Sequence, residues 1–150
     1  MITRTRIKPR QSIAHLVATA TALLILSLSP VRADDAAAAQ SIIESQIQAF
    51  LADDMATAYS FAAPSIKRMY PDESRFFDMV KRGYQPVYRP GNFAFGRSKL
   101  APDGSGLIQE VLIQGPDGHD WTALYSLERQ PDGSFKINGV QMIKAAAPIT

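Results

Sequence analysis

The tripeptide Pro-Asp-Gly occurs three times in the second half of this chain, at residues 102–104, 116–118 and 131–133. Proline fixes the first corner of a turn, aspartate hydrogen-bonds to its own following backbone, and glycine accepts the positive φ that closes the reversal. The segments around these turns have the length of strands and are rich in apolar, β-branched and aromatic residues. They predict a four-stranded antiparallel meander with strands near residues 93–100, 107–114, 121–129 and 135–143.

The last predicted strand departs from simple alternation of buried and exposed residues. Phe135 and Ile137 share one of its faces. Val140 and Met142 share that face only if residues 138–139 form a β-bulge, because a bulge inserts one extra residue and shifts the register. A bulge at this point would therefore place all four apolar residues on one face.

Residues 34–83 have the periodicity of helices. Apolar side chains recur there at steps of three and four, at Ile43, Ile47, Phe50, Leu51, Met55, Ala58 and Tyr59. Asp54 is the expected cap of a second, short helix that ends before Pro64. A third helix is predicted from about Asp72 to Gly83, followed by an irregular connection over residues 84–91. Three helices packed on one face of an antiparallel sheet make an α+β fold.

The first 33 residues have the features of a secretory signal peptide. Four basic residues precede an apolar stretch at residues 13–28, and Val31 and Ala33 occupy the −3 and −1 positions of a cleavage site. We interpret residues 1–33 as a signal peptide cleaved after Ala33, and residues 34–150 as a single domain that is periplasmic or secreted. A retained membrane anchor is the alternative, although the apolar stretch is at the short end of what spans a bilayer. The processed chain is expected to have no stable membrane anchor.

Removal of this leader changes the sign of the net charge. Five of the 16 basic residues lie in the leader and all 14 acidic residues follow it, so residues 34–150 have 11 basic and 14 acidic residues and a net charge of −3. An acidic domain argues against a nucleic-acid partner. The chain has no cysteine and only one histidine outside the leader, His119, so disulfides are excluded and neither a metal nor another cofactor is expected.

Three segments of the chain resemble the DUF4864 family of exported proteobacterial proteins. They are residues 43–64, residues 76–84 and residues 132–140. That family is uncharacterised, and its pattern is similar to the NTF2-like, or cystatin-like, fold, in which three helices cover a strongly curved sheet and leave a pocket at its wide end. The resemblance covers nearly the whole of residues 34–150 and implies an NTF2-like cone, but no reaction.

Two residues are candidates for acid-base chemistry. Enzymes of the NTF2-like type use a carboxylate or a histidine as a base, which must lie in the pocket with the substrate. Glu110 shares a strand face with the apolar Ile108 and Leu112, and His119 follows the second turn. Ordinary solvated positions explain both residues as well. We assign no catalytic residue, and a small isomerase or hydrolase remains an alternative.

Residues 67–99 combine positive charge with aromatic side chains. This stretch has eight basic and three acidic residues, interleaved with tyrosines and phenylalanines. It could line the mouth of a pocket for an anionic or aromatic ligand, or it could be a solvated face above the core. The first candidates for pocket walls are Tyr59, Tyr84, Tyr88, Arg97, Trp121 and Tyr125. The sequence thus favours a non-catalytic protein that binds a small molecule or a protein partner, with a homodimer through the sheet face as a further alternative.

Overall fold

Five helices precede four strands in the computed structural model, which describes residues 31–145. The helices are α1 Val31–Leu51, α2 Met55–Ser60, α3 Pro64–Met69, α4 Glu73–Gly83 and α5 Gln85–Tyr88, and the strands are β1 Asn92–Leu100, β2 Gly106–Gln114, β3 Asp120–Arg129 and β4 Phe135–Lys144. The α+β class is confirmed. Apart from residues 31–33, which belong to α1, the predicted signal peptide lies outside the described residues. Among the described helices, none combines the length and the apolar character needed to cross a membrane.

The sheet is the predicted antiparallel meander. The strands pair in the order β1-β2-β3-β4, and each begins and ends within one residue of its predicted bounds. The three turns between them share one geometry: Gly104, Gly118 and Gly133 have φ values of 72°, 78° and 85°. In each turn the aspartate accepts a hydrogen bond from the backbone N–H two residues later, over 3.0 to 3.1 Å. Glycine at the closing position avoids the clash that a Cβ meets in this conformation.

Two bulges interrupt the ladders of the sheet. In β4, Ser126 of β3 pairs with Gly139 and Leu127 with Ile137, so Asn138 is the extra residue and the bulge that places the four apolar residues on one face is present. A second bulge, which the sequence did not indicate, lies in β1 between Phe95 and Ser98. It is held by the buried side chain of Gln109 on β2.

The helical half has five helices rather than the three predicted, and proline explains both additions. Pro64 was expected only to end α2, but it is also the first residue of α3. Pro86 lies in the first turn of α5, within the connection that was predicted to be irregular. Proline suits the first turn of a helix because the N–H that it lacks has no partner there. The predicted cap Asp54 is confirmed, and Asp72 caps α4 in the same way, since each accepts a hydrogen bond from the backbone N–H three residues later.

The core lies between the helices and one face of the sheet, here called the inner face. Ile43, Ile47 and Phe50 of α1 are almost fully buried, as are the inward-facing residues of β2 and β3. The connection from α2 to α3 runs along β4, where the backbone N–H of Ala63 donates to the carbonyl of Ile137 over 2.8 Å. This contact brings α2 and α3 against the edge strand and leaves a gap between them, α1, α4 and the sheet.

Candidate ligand cavity

A cavity of about 80 Å³ occupies this gap. Four of the helices, α1, α3, α4 and α5, contribute to its wall, together with β4 and the α2–α3 connection. Its lining residues are Gln46, Phe50, Ala62, Ile66, Phe76, Met79, Val80, Tyr84, Val87, Ile137, Gly139 and Val140. The wall is therefore almost entirely apolar, with Gln46 and Tyr84 as the two residues that carry a polar side-chain group.

Helical spacing places the wall residues of α1 and α4. Phe76 and Val80 are four residues apart and are both buried on one face of α4. Gln46 and Phe50 are likewise four residues apart on α1, and the rings of Phe50 and Phe76 stack with their centroids 6.3 Å apart. The stacked rings hold α1 against α4 and close that side of the cavity.

The bulge of β4 contributes to the opposite wall. Ile137 precedes the extra residue Asn138, and Val140 follows it. Without the extra residue, strand alternation would turn Val140 to the other face of the sheet. The bulge thus keeps Ile137 and Val140 on the inner face, where both line the cavity.

Gln46 is the one buried polar side chain in the wall. The residue is 3% exposed. Its Nε2 donates a hydrogen bond to the carbonyl of Ala58 over 3.1 Å, which ties α1 to α2. No donor among the described residues bonds to its Oε1. Gln46 itself is one of the residues that line the cavity.

The three candidate tyrosines of the helical half differ in their placement. Tyr84 lines the cavity and is half-buried. Tyr59 lies outside the wall: its hydroxyl donates to the carbonyl of Tyr70 over 2.6 Å, and its ring packs at 5.5 Å from that of Phe76, a wall residue. Tyr59 therefore supports the wall from behind.

Tyr88 belongs to a surface cluster at the end of α1. Its hydroxyl donates to the Asp53 carboxylate, which also pairs with Arg89 at 2.8 Å. The hydrogen bond to that carboxylate raises the pKa of Tyr88, while the bonds from Tyr88 and Arg89 lower the pKa of Asp53. Asp53 has a φ of 55°, the left-handed conformation that ends a helix. This cluster caps α1 and does not reach the cavity.

The three candidates from the sheet lie apart from one another. Arg97 is exposed on the outer face, where its Nε lies 3.1 Å from Glu110. Trp121 borders a different cleft, at the end of the sheet near Phe93 and Gln114. Tyr125 is fully buried in the core, and burial raises the pKa of its hydroxyl. None of these three lines the cavity, so the structure does not bring the six candidates together.

The two acid-base candidates also lie away from the cavity. Glu110 is on the outer face, paired with Arg97. His119 is at an exposed turn, and its Nδ1 lies 2.9 Å from Asp117. The hydrogen bond from the backbone N–H of His119 lowers the pKa of Asp117. Among residues 31–145, no three histidine, cysteine or acidic residues converge on a point where they could hold a metal ion.

The basic residues of the stretch 67–99 lie over the outside of the aromatic core. Lys81 Nζ is 5.1 Å from the ring centroid of Phe77 and 5.6 Å from that of Tyr88. Lys67 Nζ is 5.0 Å from the ring centroid of Tyr59. Within residues 31–145, no charged residue lines the cavity. Positive charge and aromatic rings are thus neighbours, but on the outer side of the wall.

Gln46 was not among the predicted site residues, although the sequence carried a signal for it. Apolar residues recur on α1 at Ile43, Ile47 and Phe50, and Gln46 falls on that same helical face, three residues after the first of them and four before the last. A polar residue within an apolar helical stripe indicates either a buried hydrogen bond or a binding group. Here Gln46 donates one buried hydrogen bond and also lines the cavity.

Comparison with known proteins identifies a family and no characterised relative. A family model described as "Domain of unknown function (DUF4864)" matches residues 32–150. Neither a curated protein nor a solved structure matches the chain significantly.

Proposed function

The chain belongs to the DUF4864 family, whose function is unknown, and we propose that it binds a small apolar molecule, or the apolar end of a larger one, in the cavity between the helices and β4. The apolar wall of that cavity is the observation that carries this proposal. Apolar groups gain roughly 25 cal/mol for each Å² of surface that they remove from water. A wall built almost wholly of such groups therefore selects an apolar ligand.

The size of the cavity limits what it holds. Its volume of about 80 Å³ is well below the roughly 300 to 1,000 Å³ of pockets that enclose drug-sized ligands. It is closer to the cavity of roughly 150 Å³ that accepts benzene in an engineered protein. We infer that the site takes a single ring or a short alkyl group, while any remaining part of the ligand extends outward.

Binding without catalysis is the activity that the wall supports best. General acid-base chemistry needs a titratable group within hydrogen-bond reach of the reacting atom. The wall contains no carboxylate and no histidine, and the two residues that could supply a base, Glu110 and His119, lie on the outer face and at a hairpin turn. This placement favours a binding protein over an isomerase or a hydrolase.

We further propose that the protein acts after export, as a periplasmic or secreted domain with the NTF2-like cone. The signal-like leader supports export. Helices on one side of an antiparallel meander, with a cavity between the layers, support the cone. An exported binder of a small apolar molecule would carry or sense that molecule outside the cytoplasm.

Toluene is the probe that tests the binding site. Titration of residues 34–150 with toluene, followed by ¹H–¹⁵N correlation spectra, should shift resonances of α4 and of β4 beside the cavity. Val140→Phe should abolish those shifts because Val140 lines the cavity and a phenyl group would fill it. Ile143→Phe makes a similar change on the same strand at a 45% exposed outer-face position, so it should leave binding intact. Absence of shifts in the unmodified protein, or equal loss in both variants, would overturn the proposal.

The outer face of the sheet favours self-association as a second function. Ile108, Leu112 and Ile143 are 40%, 47% and 45% exposed on this face. Leu112 and Ile143 both lie beside Thr122 on β3, so they form one row across the sheet. Charges of both signs, such as Glu128 opposite Lys136, also lie on this face.

A second copy of the chain is the partner that suits such a face. In a dimer with two-fold symmetry, the same patch of each subunit forms the interface. Sedimentation at increasing concentration should then show a dimer that Leu112→Lys disrupts. A strict monomer would exclude this function and leave the cavity proposal untouched.

A further inference from the structure

We propose that the ligand of the cavity carries a neutral hydrogen-bond donor at its buried end, a phenolic or alcoholic hydroxyl, which binds Oε1 of Gln46. This inference rests on the proposed binding function and specifies its ligand class. It separates hydroxyl-bearing ligands from plain hydrocarbons and from carboxylates.

The contact with Ala58 fixes which end of the Gln46 amide is left to bind a ligand. The Ala58 carbonyl can only accept a hydrogen bond, so the amide atom 3.1 Å from it must be the donor Nε2. The other end of the amide is then the oxygen. That oxygen has two lone pairs and no donor among the described residues, so Gln46, as a residue of the cavity wall, can offer a ligand an acceptor.

The place of Gln46 in the wall lets a small group in the cavity approach its amide. Gln46 is 3% exposed as a residue, and it lines the cavity. A buried acceptor without a donor is unfavourable in an apolar site, so a ligand donor that reaches it is favoured. The hydroxyl of a ligand would replace the water that can otherwise fill this role.

The absence of charge in the wall restricts the donor to a neutral one. None of the lining residues is acidic, so a ligand ammonium would lose its hydration without gaining a counter-charge. None is basic, and a ligand carboxylate would in addition face the Gln46 oxygen, another acceptor. A hydroxyl on a ring or short alkyl chain meets both the polarity and the size of the site.

Phenol, anisole and toluene form the test series. Phenol donates a hydrogen bond, anisole has the same ring and oxygen without the donor, and toluene has neither. In the unmodified protein, phenol should bind roughly 3- to 10-fold more tightly than anisole, the effect of one net hydrogen bond. Gln46→Met should abolish that preference, because methionine is of similar length and has no amide oxygen to accept the hydrogen bond. Gln48→Met, the same change at an exposed position of α1, should preserve the preference.

The outcomes distinguish the hydroxyl contact with Gln46 from the proposed binding of an apolar molecule in the cavity. If toluene binds and Val140→Phe blocks it, but phenol is no better than anisole, the hydroxyl inference is overturned and the binding function stands. If none of the three probes binds, both are overturned. Should Gln46→Met fail to fold, the comparison of phenol with anisole in the unmodified protein still decides, together with nuclear Overhauser contacts between the phenol ring and the Gln46 side-chain amide, which the inference requires.

Discussion

At the scale of single residues, Arg129 joins three distant parts of the chain. Its Nη2 pairs with Asp35 of α1 at 2.8 Å, its Nε donates to the carbonyl of Gly104 over 2.8 Å, and its Nη1 donates to that of Gly133 over 3.2 Å. The guanidinium also lies 4.5 Å from the ring centroid of Phe135. One planar cation thus holds the start of the first helix against two of the hairpin turns.

Replacement of Arg129 should strongly destabilise the folded protein. Arg129→Met removes the partner of Asp35, which is 8% exposed, and leaves two turn carbonyls without their donor. We expect the free energy of unfolding to fall by roughly 2–4 kcal/mol, measured by urea denaturation. Arg82→Met is the control, because Arg82 is highly exposed and pairs with Asp78 only at 3.7 Å. It should cost under roughly 0.5 kcal/mol, and equal losses in the two variants would contradict the role given to Arg129.

The lowered pKa values of the three turn aspartates indicate how the stability of the protein responds to acid. The backbone hydrogen bonds from Ser105 and His119 lower the pKa values of Asp103 and Asp117, and the hydrogen bonds from Ser134 lower that of Asp132. A lowered pKa means that the folded chain binds the proton less readily than the unfolded chain. The contribution of the turns is therefore complete above the ordinary carboxyl value of 3.8 and is lost as the pH falls below it.

Asparagine at these positions should remove that pH dependence while it keeps the turn. The amide oxygen of asparagine still accepts the backbone hydrogen bond but does not titrate. In a triple variant, Asp103→Asn, Asp117→Asn and Asp132→Asn, the urea midpoint should fall less steeply between about pH 4 and pH 2 than in the unmodified protein. Asp78→Asn changes a helical carboxylate outside the turns and should not flatten the curve as the triple variant does. An unaltered slope in the triple variant would refute the argument.

At the scale of elements, the side chain of Gln109 holds the bulge of β1. It is fully buried on the inner face of β2, and its Nε2 donates to the carbonyl of Gly96 over 3.2 Å and to that of Glu110 over 2.8 Å. Its Oε1 accepts hydrogen bonds from Ser98 and, over 3.3 Å, from Gln40 of α1. These bonds satisfy the backbone groups that the bulge removes from the ladder.

Gln109→Leu should therefore open the bulge. The bulge carbonyls and Ser98 would lose a buried partner, so we expect a loss of at least roughly 2 kcal/mol and faster hydrogen exchange at the amides of residues 96–98. Gln141→Leu makes the same change at an exposed position of β4 and should have little effect on either measurement. Slow exchange at residues 96–98 in the Gln109 variant would show that the ladder alone maintains the bulge.

The two bulges show which element features can be predicted from sequence. The β4 bulge could be predicted because Phe135, Ile137, Val140 and Met142 are apolar and fall out of step with strict alternation. The sequence of β1 has no such pattern, because its bulge depends on hydrogen bonds from Gln109, a residue of another strand. The same contrast holds for the helices. Caps such as Asp54 act on their own turn and were predicted, whereas α3 depends on the pairing of its preceding residues with β4.

At the scale of the whole molecule, the candidate site could be predicted only in part. The position of the site, between the helices and the sheet, follows from the order of elements. The identity of its wall does not, because it depends on how four helices and β4 come together around the cavity. Tyr84 lines the cavity, but Tyr88 instead joins a helix cap and Tyr125 is sealed in the core. Aromatic residue types near basic ones were thus a weak guide to the wall.

The proposed cleavage site lies close to a residue that stabilises the whole molecule. Cleavage after Ala33 would leave Asp35 as the second residue and so would retain the partner of Arg129. Intact mass spectrometry of protein recovered from the periplasm should give the mass of residues 34–150. A second protein beginning at Ala37 lacks Asp35 and should lose part of the stability that Arg129→Met loses, since it breaks the same pair but leaves Arg129 bonded to the two turn carbonyls. Recovery of the uncleaved chain would refute the signal peptide, while a stable chain that begins at Ala37 would refute the coupling between the processed end and the turns.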